Sequence, residues 1–296
     1  DGMFEGNAGI VEIANTGSAN GNNAALDEGG GYVYAGSEEG VTRWAYSEDA
    51  DELTGAELVV TGQPSSGTHA LHTVHVFDGW LYVHSGSENN AVAPMSPEYD
   101  TDRSVLKRFD LSLFESGTPF EWGSGEVFAV GLRNMVGFTR DSDDRIWGVV
   151  NGMDNVMYAG EDVHDDNPGD DLRLIEQGGA YGYPYCFTAS RVLVDGEPVA
   201  AGTQLVAATD PEAPDPDFTN PHDDAWCADN SEPPATFMTP HSAPLDLTFF
   251  DDEPQGGLPE DWRGGAFVAL HGSWNTSPSV GHQVVFVPFE DGAPPM

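Results

Sequence analysis

The feature that most constrains this chain is a unit that recurs along it. Each copy has a polar residue, an apolar strand, an Asp-rich turn and a second strand that ends in small residues. Three clear copies run from His69 to Ser87, from Arg133 to Gly152 and from His241 to Gly272. A fainter copy ends at residues 32–37. Repeated short antiparallel strands with Asp/Gly turns indicate a radial β-architecture, in which each copy is one blade of a propeller.

The polar residues that lead the clear copies hold equivalent places. His69, Arg133 and His241 stand nine or ten positions before the aspartate of the following turn. Equivalent strand ends in successive blades surround one axis, so we expect these three side chains to converge on a single axial site.

The rest of the pattern favours an all-β fold. Apolar runs rich in β-branched and aromatic residues recur between Gly, Asp, Asn and Pro, and helical periodicity is nearly absent. We therefore predict a single β-propeller domain over residues 1–296, with about four recognisable blades and truncated at both ends, because four units fall short of a closed ring of six. Residues 188–236 are predicted to form a long Pro/Asp-rich insertion, of a length that is usually functional or tethered.

The charge balance excludes some classes of partner. Ten basic and 50 acidic residues give a net charge of −40. Such a surface repels phosphate backbones and anionic lipids, so we expect no binding to nucleic acid and no membrane insertion. Two explanations of the charge stay open: adaptation to high salt, as in halophiles, or a generally acidic secreted protein.

The cysteine content is low. Cys186 and Cys227 are the two cysteines of the chain, and neither belongs to a CxxC pair. Two cysteines do not complete a zinc site, so a disulfide is the preferred interpretation and two buried free thiols are the alternative. A disulfide would tether the insertion. It also favours an oxidising location, periplasmic or extracellular.

Two of the leading residues suit catalysis. His69 is a candidate general base, because the pKa of a free imidazole lies near working pH. His72 is expected to pack within its blade, although it lies close enough to help orient His69. Arg133 is a candidate for holding an anionic or electron-accepting ligand, since its planar guanidinium suits carboxylate and carbonyl oxygens. A salt bridge to one of the many carboxylates is the alternative for Arg133. Hydrolase-elbow, zincin and nucleotide-binding motifs are absent.

The segment 151–171 is rich in oxygen ligands. With backbone carbonyls, its aspartates could bind Ca²⁺, although the spacing is not that of an EF-hand and a solvated acidic loop is the alternative. The six aspartates are Asp154, Asp162, Asp165, Asp166, Asp170 and Asp171.

At these residues the chain resembles the glucose/sorbosone dehydrogenase family, the soluble six-bladed β-propellers that use pyrroloquinoline quinone (PQQ). The resemblance runs from about Ala24 to Pro295. The motifs that carry it are GLRN (131–134), NG (151–152), HDDNPGDDL (164–172), GGAYGYPYCF (178–187), PHSAPLDL (240–247) and HGSWN (271–275).

The resemblance implies two catalytic residues. His69 matches the family's catalytic base. Arg133 matches the arginine that contacts the quinone and the reacting carbonyl.

The resemblance also implies the residues that bind the cofactors, PQQ and Ca²⁺. Eighteen residues after Arg133 come Asn151, Gly152 and Met153, and the backbone carbonyls of Gly152 and Met153 match the family's Ca²⁺ ligands. Further matches face the cofactor pocket of the family: His241, and His271 and Trp274 within HGSWN.

The function that this resemblance implies is that of a quinoprotein sugar dehydrogenase. Such an enzyme is a PQQ-dependent oxidoreductase, which oxidises a sugar or a related alcohol or aldehyde by hydride transfer to a Ca²⁺-bound quinone. The acidic surface suits an encounter with a basic electron-acceptor protein. Two alternatives stay open: a propeller that binds ligands without redox chemistry, and a Ca²⁺-dependent lactonase. The lactonase is disfavoured because it would need carboxylate and asparagine ligands at the axis, where this chain has His, Arg and His.

Overall fold

The fold is built almost entirely from β-strands. In the computed structural model, the described residues are 24–27, 31–46, 53–70, 72–91, 99, 101–194, 196–209, 218–250, 258–273 and 275–295. The first twelve strands are β1 (Ala24–Asp27), β2 (Tyr32–Ser37), β3 (Gly40–Ala45), β4 (Thr54–Thr61), β5 (His72–Phe77), β6 (Trp80–Ser85), β7 (Val105–Asp110), β8 (Phe120–Glu121), β9 (Glu126–Val130), β10 (Met135–Arg140), β11 (Ile146–Val150) and β12 (Val156–Tyr158).

The second half of the chain continues in the same way. Its strands are β13 (Glu161–Asp162), β14 (Asp170–Ile175), β15 (Gly179–Ala180), β16 (Cys186–Thr188), β17 (Leu193–Val194), β18 (Glu197–Pro198), β19 (Gln204–Val206), β20 (Ala208–Thr209), β21 (Thr236–Met238), β22 (Pro244–Phe249), β23 (Ala266–Leu270) and β24 (Gln283–Val287). The helices among the described residues are α1 (Asp224–Asn230) and four short 3-10 turns at Leu111–Leu113, Trp122–Ser124, His164–Asp166 and Glu260–Trp262. None of these helices is long and apolar enough to cross a membrane.

Four sheets carry the main framework. Sheet 1 follows the order β1, β2, β3, β4, β8, and sheet 2 the order β5, β6, β7, β9, β15. Sheet 3 follows the order β10, β11, β14, β21, and sheet 4 the order β22, β23, β24. The main strands pair antiparallel; β8 and β15 are short parallel additions at sheet edges. The repeat seen in the sequence forms the first two strands of each sheet.

The turns of the repeat differ in length between the sheets. In sheet 2, Asp78 and Gly79 join β5 to β6, and both have positive φ, 51° and 78°. This is the two-residue hairpin turn that Asp-Gly favours. In sheet 3 the turn is longer, and Asp141 stabilises it by accepting hydrogen bonds from the backbone N–H groups of Asp143 and Arg145. The turn aspartate expected at position 251 lies outside the described residues.

The hydrophobic core lies between neighbouring sheets. Along β11, Ile146 and Val150 pack in a cluster shared with sheet 2, whereas Trp147 and Val149 pack in one shared with sheet 4. This alternation follows from the period of two along a strand, and it buries both faces of sheet 3. The first strands of the sheets also contact one another: β1 with β5, β5 with β10, and β10 with β22. The all-β prediction is confirmed, and the first strands hold the place of the inner strands of a propeller.

The Pro/Asp-rich segment 188–236 has structure of its own. It contains β17–β20 and α1, although residues 195 and 210–217 lie outside the described part of the chain. The helix begins after Asp223, whose side chain accepts a hydrogen bond from the Trp226 N–H. Cys227 of α1 forms a disulfide with Cys186 of β16, with Cα atoms 5.7 Å apart. The insertion is therefore tethered to the strand that precedes it.

Candidate active site

A pocket of about 500 Å³ lies at the ends of the repeat hairpins of sheets 2, 3 and 4. The three residues that lead the repeats all line it, as the repeat predicted. The full lining is His69, Arg133, Asn134, Asn151, Gly152, Asp154, Asp170, His241, Ala243, Gly272 and Ser273. The side chains come from three different sheets, so the pocket depends on the mutual packing of those sheets.

His69 is held at the pocket by a single short contact. Its Nδ1 lies 2.7 Å from Ser87 Oγ. The backbone of His69 passes close to Gly86, where an added Cβ would lie 2.6 Å from the His69 carbonyl oxygen. Burial, followed by the positive charge of Arg133, lowers the pKa of His69 from 6.5 to about 3. The imidazole is therefore neutral at physiological pH, and a neutral imidazole can accept a proton.

Arg133 is held by many contacts. Its guanidinium is surrounded by oxygen acceptors, and its side chain is only 5% exposed. The acceptors are the Asn90 carbonyl at 3.0 Å, Asn90 Oδ1 at 3.0 Å, the Gly152 carbonyl at 2.5 Å, the Asn151 carbonyl at 3.5 Å and Asp154 Oδ2 at 3.2 Å. All five N–H groups of the guanidinium therefore have an acceptor.

Asp170 connects two walls of the pocket. One carboxylate oxygen accepts a hydrogen bond from the Gly152 N–H at 3.0 Å, and the other accepts one from the Ala243 N–H at 2.9 Å. Burial raises the pKa of Asp170 from 3.8 to about 6, although both of these hydrogen bonds oppose that shift. The buried carboxylate fixes the loop after β11 against the loop before β22.

His241 faces the pocket from the sheet 4 side. Its backbone is in the left-handed region, with φ of 61°. Its Nε2–H donates to the His164 carbonyl at 2.5 Å, and its Nδ1 lies 3.9 Å from Asp154 Oδ1. The proton on Nε2 is therefore committed to the backbone, and Nδ1 carries the lone pair on the side of Asp154.

Met153 lies next to the axial pocket but does not line it. Its side chain packs in a separate hydrophobic cluster with Tyr183 and Phe187. It lines a second cavity, which shares Arg133, Asn151 and Gly152 with the axial pocket. The two cavities therefore lie on either side of the loop that follows β11.

His271, one of the two residues matched within the HGSWN segment, does not line the pocket. The side chain of His271 is exposed and lies near His282, with ring centroids 5.7 Å apart, and the pocket is lined by Gly272 and Ser273 instead. Trp274 lies outside the described residues.

The aspartates of the segment 151–171 are dispersed. Asp171 pairs with Arg173, Asp162 accepts hydrogen bonds from His164, and Asp154 pairs with Arg133. Within the described ranges, no group of three or more His, Cys, Asp or Glu side chains could hold a metal ion.

The chain matches a known protein family. A family model described as TrAA12-like matches residues 7–296. The chain belongs to the TrAA12-like family. A PQQ-dependent pyranose dehydrogenase from Coprinopsis cinerea is 31% identical over 273 residues, which cover 86% of this chain and 34% of that protein. A PQQ-dependent sugar dehydrogenase from Hypocrea jecorina is 29% identical over 240 residues, which cover 76% of this chain and 54% of that protein. The chain thus spans between a third and about half of these curated relatives.

Solved structures of similar proteins share the fold. The holo form of the PQQ domain of pyranose dehydrogenase from Coprinopsis cinerea superposes with a TM-score of 0.76 at 28% identity, covering 92% of this chain and 65% of that one. A calcium structure of a Trichoderma reesei AA12 enzyme gives a TM-score of 0.77 at 27% identity, covering 92% of this chain and 66% of that one. The resemblance to PQQ-dependent sugar dehydrogenases is confirmed, as is the β-propeller fold.

In this TrAA12-like chain, sequence reasoning missed residues that support the two central side chains. Ser87 contacts His69, and Asn90 supplies two acceptors to Arg133. The expectation that His72 orients His69 is wrong, because the ring nitrogens of His72 contact the carbonyls of Ser37 and Pro64. The repeat could have predicted the contact between Ser87 and His69, since they are the last and first residues of the same copy.

Proposed function

We propose that this chain is a PQQ-dependent oxidoreductase that oxidises a sugar or related alcohol by hydride transfer to a Ca²⁺-bound quinone. The observation that carries the proposal is that His69, Arg133 and Gly152 line one pocket. A neutral base, a buried cation and a backbone carbonyl are the groups that such a reaction needs from the protein. The named relatives support the cofactor class.

The donor set of the pocket fits these cofactors. Backbone carbonyls are hard oxygen ligands of the kind that Ca²⁺ prefers. The Gly152 carbonyl already accepts a hydrogen bond from Arg133, but a carbonyl oxygen has two lone pairs and retains one for a metal. We assign Ca²⁺ to the carbonyls of Gly152 and Met153. Asn151 and His241 would contact the quinone. The positive charge of Arg133 would attract the quinone carboxylates, although each N–H group of the guanidinium already has a protein acceptor.

The mechanism divides between cofactor and protein. When bound, a Ca²⁺-coordinated quinone would supply an electrophilic carbonyl carbon as the hydride acceptor. His69 removes the hydroxyl proton of the sugar at Nε2, because Nδ1 is occupied by Ser87. The positive charge of Arg133 would stabilise negative charge on a quinone carbonyl oxygen. Asp170 keeps the Gly152 loop in place during both transfers.

The lactonase alternative gains little from the pocket. Asp154 and Asp170 do line it. Each carboxylate is already engaged, however: Asp154 with Arg133 and Asn275, and Asp170 with two backbone N–H groups. Neither is arranged with other side chains as a metal-binding set.

The proposal extends to the setting of the enzyme. We assign the four sheets to four blades of a six-bladed type of propeller, within one domain that carries residues 188–236 as an insertion. The disulfide supports a periplasmic or extracellular location, since disulfides persist in oxidising compartments. With a net charge of −40, the chain suits a basic protein as electron acceptor.

Reconstitution tests the proposal. The purified chain would be incubated with PQQ and Ca²⁺, quinone binding followed by quenching of tryptophan fluorescence, and turnover followed by dye reduction over a panel of sugars. We expect Ca²⁺-dependent quinone binding and dye reduction with at least one sugar. Binding of neither quinone nor Ca²⁺ would contradict the proposed function.

A further inference from the structure

Ser87 joins the two central residues of the pocket. It lies two positions after β6 and is 1% exposed. Its backbone N–H donates to the Arg133 carbonyl at 2.8 Å, and its Oγ lies 2.7 Å from His69 Nδ1. One buried residue therefore contacts both the candidate base and the backbone of the candidate cation.

The direction of the Ser87–His69 hydrogen bond follows from the third contact of Ser87. Its Oγ lies 2.8 Å from the Asn89 carbonyl, which can only accept. A serine hydroxyl has one hydrogen, so donation to Asn89 leaves its oxygen as an acceptor for His69. The His69 Nδ1 must then carry the proton, and Nε2 must carry the lone pair.

The nearest other hydroxyl does not change this result. Thr68 Oγ1 lies 3.5 Å from His69 Nδ1, but its hydrogen is directed to the Glu88 carbonyl at 3.3 Å. Thr68 is also exposed, whereas Ser87 is buried. Reversing the Ser87 hydroxyl would leave the Asn89 carbonyl with only the longer contact from Tyr183 Oη, at 3.3 Å.

We propose that Ser87 is the positioning residue of the site, which holds His69 in the Nδ1–H tautomer and so presents Nε2 as the base. A hydroxyl here does what a carboxylate does in a Ser-His-Asp triad, but it brings no negative charge. That agrees with an imidazole that is neutral before it accepts a proton. The tautomer is inferred from the hydrogen-bond geometry alone. Its role in catalysis rests on the proposed function.

The experiment reads the tautomer directly. The chain is labelled with ¹⁵N in its nine histidines, and long-range ¹H–¹⁵N spectra are recorded at neutral pH without cofactors, with His69→Gln to identify the His69 signals. We expect a protonated Nδ1 and an unprotonated Nε2. The Nε2–H tautomer in the wild-type chain would overturn the proposal, whatever the variants do.

Variants then separate positioning from folding. In Ser87→Ala we expect the His69 signals to move toward an average of both tautomers and kcat to fall about tenfold, with KM for the sugar unchanged. Thr68→Val is the matched control and should keep the wild-type spectrum. An unchanged spectrum in Ser87→Ala would overturn the proposal.

The two proposals fail in different ways. The expected tautomer without quinone binding or turnover would count against the proposed function and leave the positioning role of Ser87 intact. Turnover by a wild-type chain whose His69 carries its proton on Nε2 would count against Ser87 alone.

Discussion

His69 and Arg133 line the same pocket, yet the protein holds them in opposite ways. His69 has one short side-chain contact, to Ser87, and its Nε2 has no hydrogen bond within the described part of the chain. Arg133 has an acceptor for each of its five N–H groups. The comparison teaches that the base is kept available, while the cation is also part of the framework that joins sheets 2 and 3. Replacing each residue should therefore damage different properties.

The largest effect on stability is expected at Arg133. Arg133→Met would leave Asp154 Oδ2 and the carbonyls of Asn90 and Gly152 without the guanidinium, and leaving a buried acceptor unpaired costs about 1–3 kcal/mol. Arg133→Gln keeps an amide donor and should lose less. Urea unfolding measures both. A loss below about 1 kcal/mol in Arg133→Met, the value of an ordinary hydrogen bond, would show that the two residues are held alike.

The largest effect on turnover is expected at His69. Removing a general base typically costs at least about a hundredfold in kcat, so His69→Ala should lose that much and still bind PQQ. Its unfolding free energy should fall by only about 1 kcal/mol, because a single hydrogen bond is lost. His282→Asn is the control, since His282 is exposed and asparagine tolerates its left-handed backbone, with φ of 54°. Dye-linked turnover that matches the wild type in His69→Ala would refute its role as base.

The contribution of Asp170 to the free energy of unfolding should depend on pH. Its pKa is about 6 in the folded chain and 3.8 in a free carboxyl. Between these values the folded state binds more protons than the unfolded state, so the stability contributed by Asp170 is present at low pH and is lost as pH rises from about 4 to about 6. By this linkage the loss is about 2–3 kcal/mol. Asp170→Asn cannot titrate and should not show it.

Unfolding experiments across that pH interval provide the measurement. The wild-type and Asp170→Asn chains should differ in the slope of unfolding free energy against pH. Ser242→Ala removes only a 3.4 Å hydroxyl contact and leaves the carboxylate, so it should keep the wild-type slope. Equal slopes for wild type and Asp170→Asn would mean that the carboxylate does not titrate in this range.

The sequence predicted which residues line the pocket better than it predicted the hydrogen bonds that hold them. The repeat predicted that His69, Arg133 and His241 line one pocket. Each copy forms the first two strands of one sheet, and equivalent strand ends of successive sheets lie close together. The repeat could not give the roles of Ser87 and Asn90, since those roles depend on hydrogen bonds across loops whose course the strand period does not determine. His271 illustrates the same limit: the motif identified the segment, but the backbone turned its neighbours, Gly272 and Ser273, toward the pocket.

The smallest expected effect concerns the electrostatic coupling between His69 and Arg133. Burial is the main reason that the pKa of His69 is lowered to about 3, and the charge of Arg133 is the next. Arg133→Gln removes that charge, so the pKa should rise by less than about one unit and stay below 6.5. Because only neutral His69 can accept the proton, kcat/KM should be retained above this pKa and lost as pH falls through it. The acidic limb of the pH profile should therefore lie at higher pH in the variant.

NMR titration of the His69 ring measures the shift in pKa. Arg145→Gln, which removes an arginine in the turn of sheet 3, is the control. A pKa that does not move in Arg133→Gln would mean that burial alone keeps the base neutral, and the two sides of the pocket would then be independent.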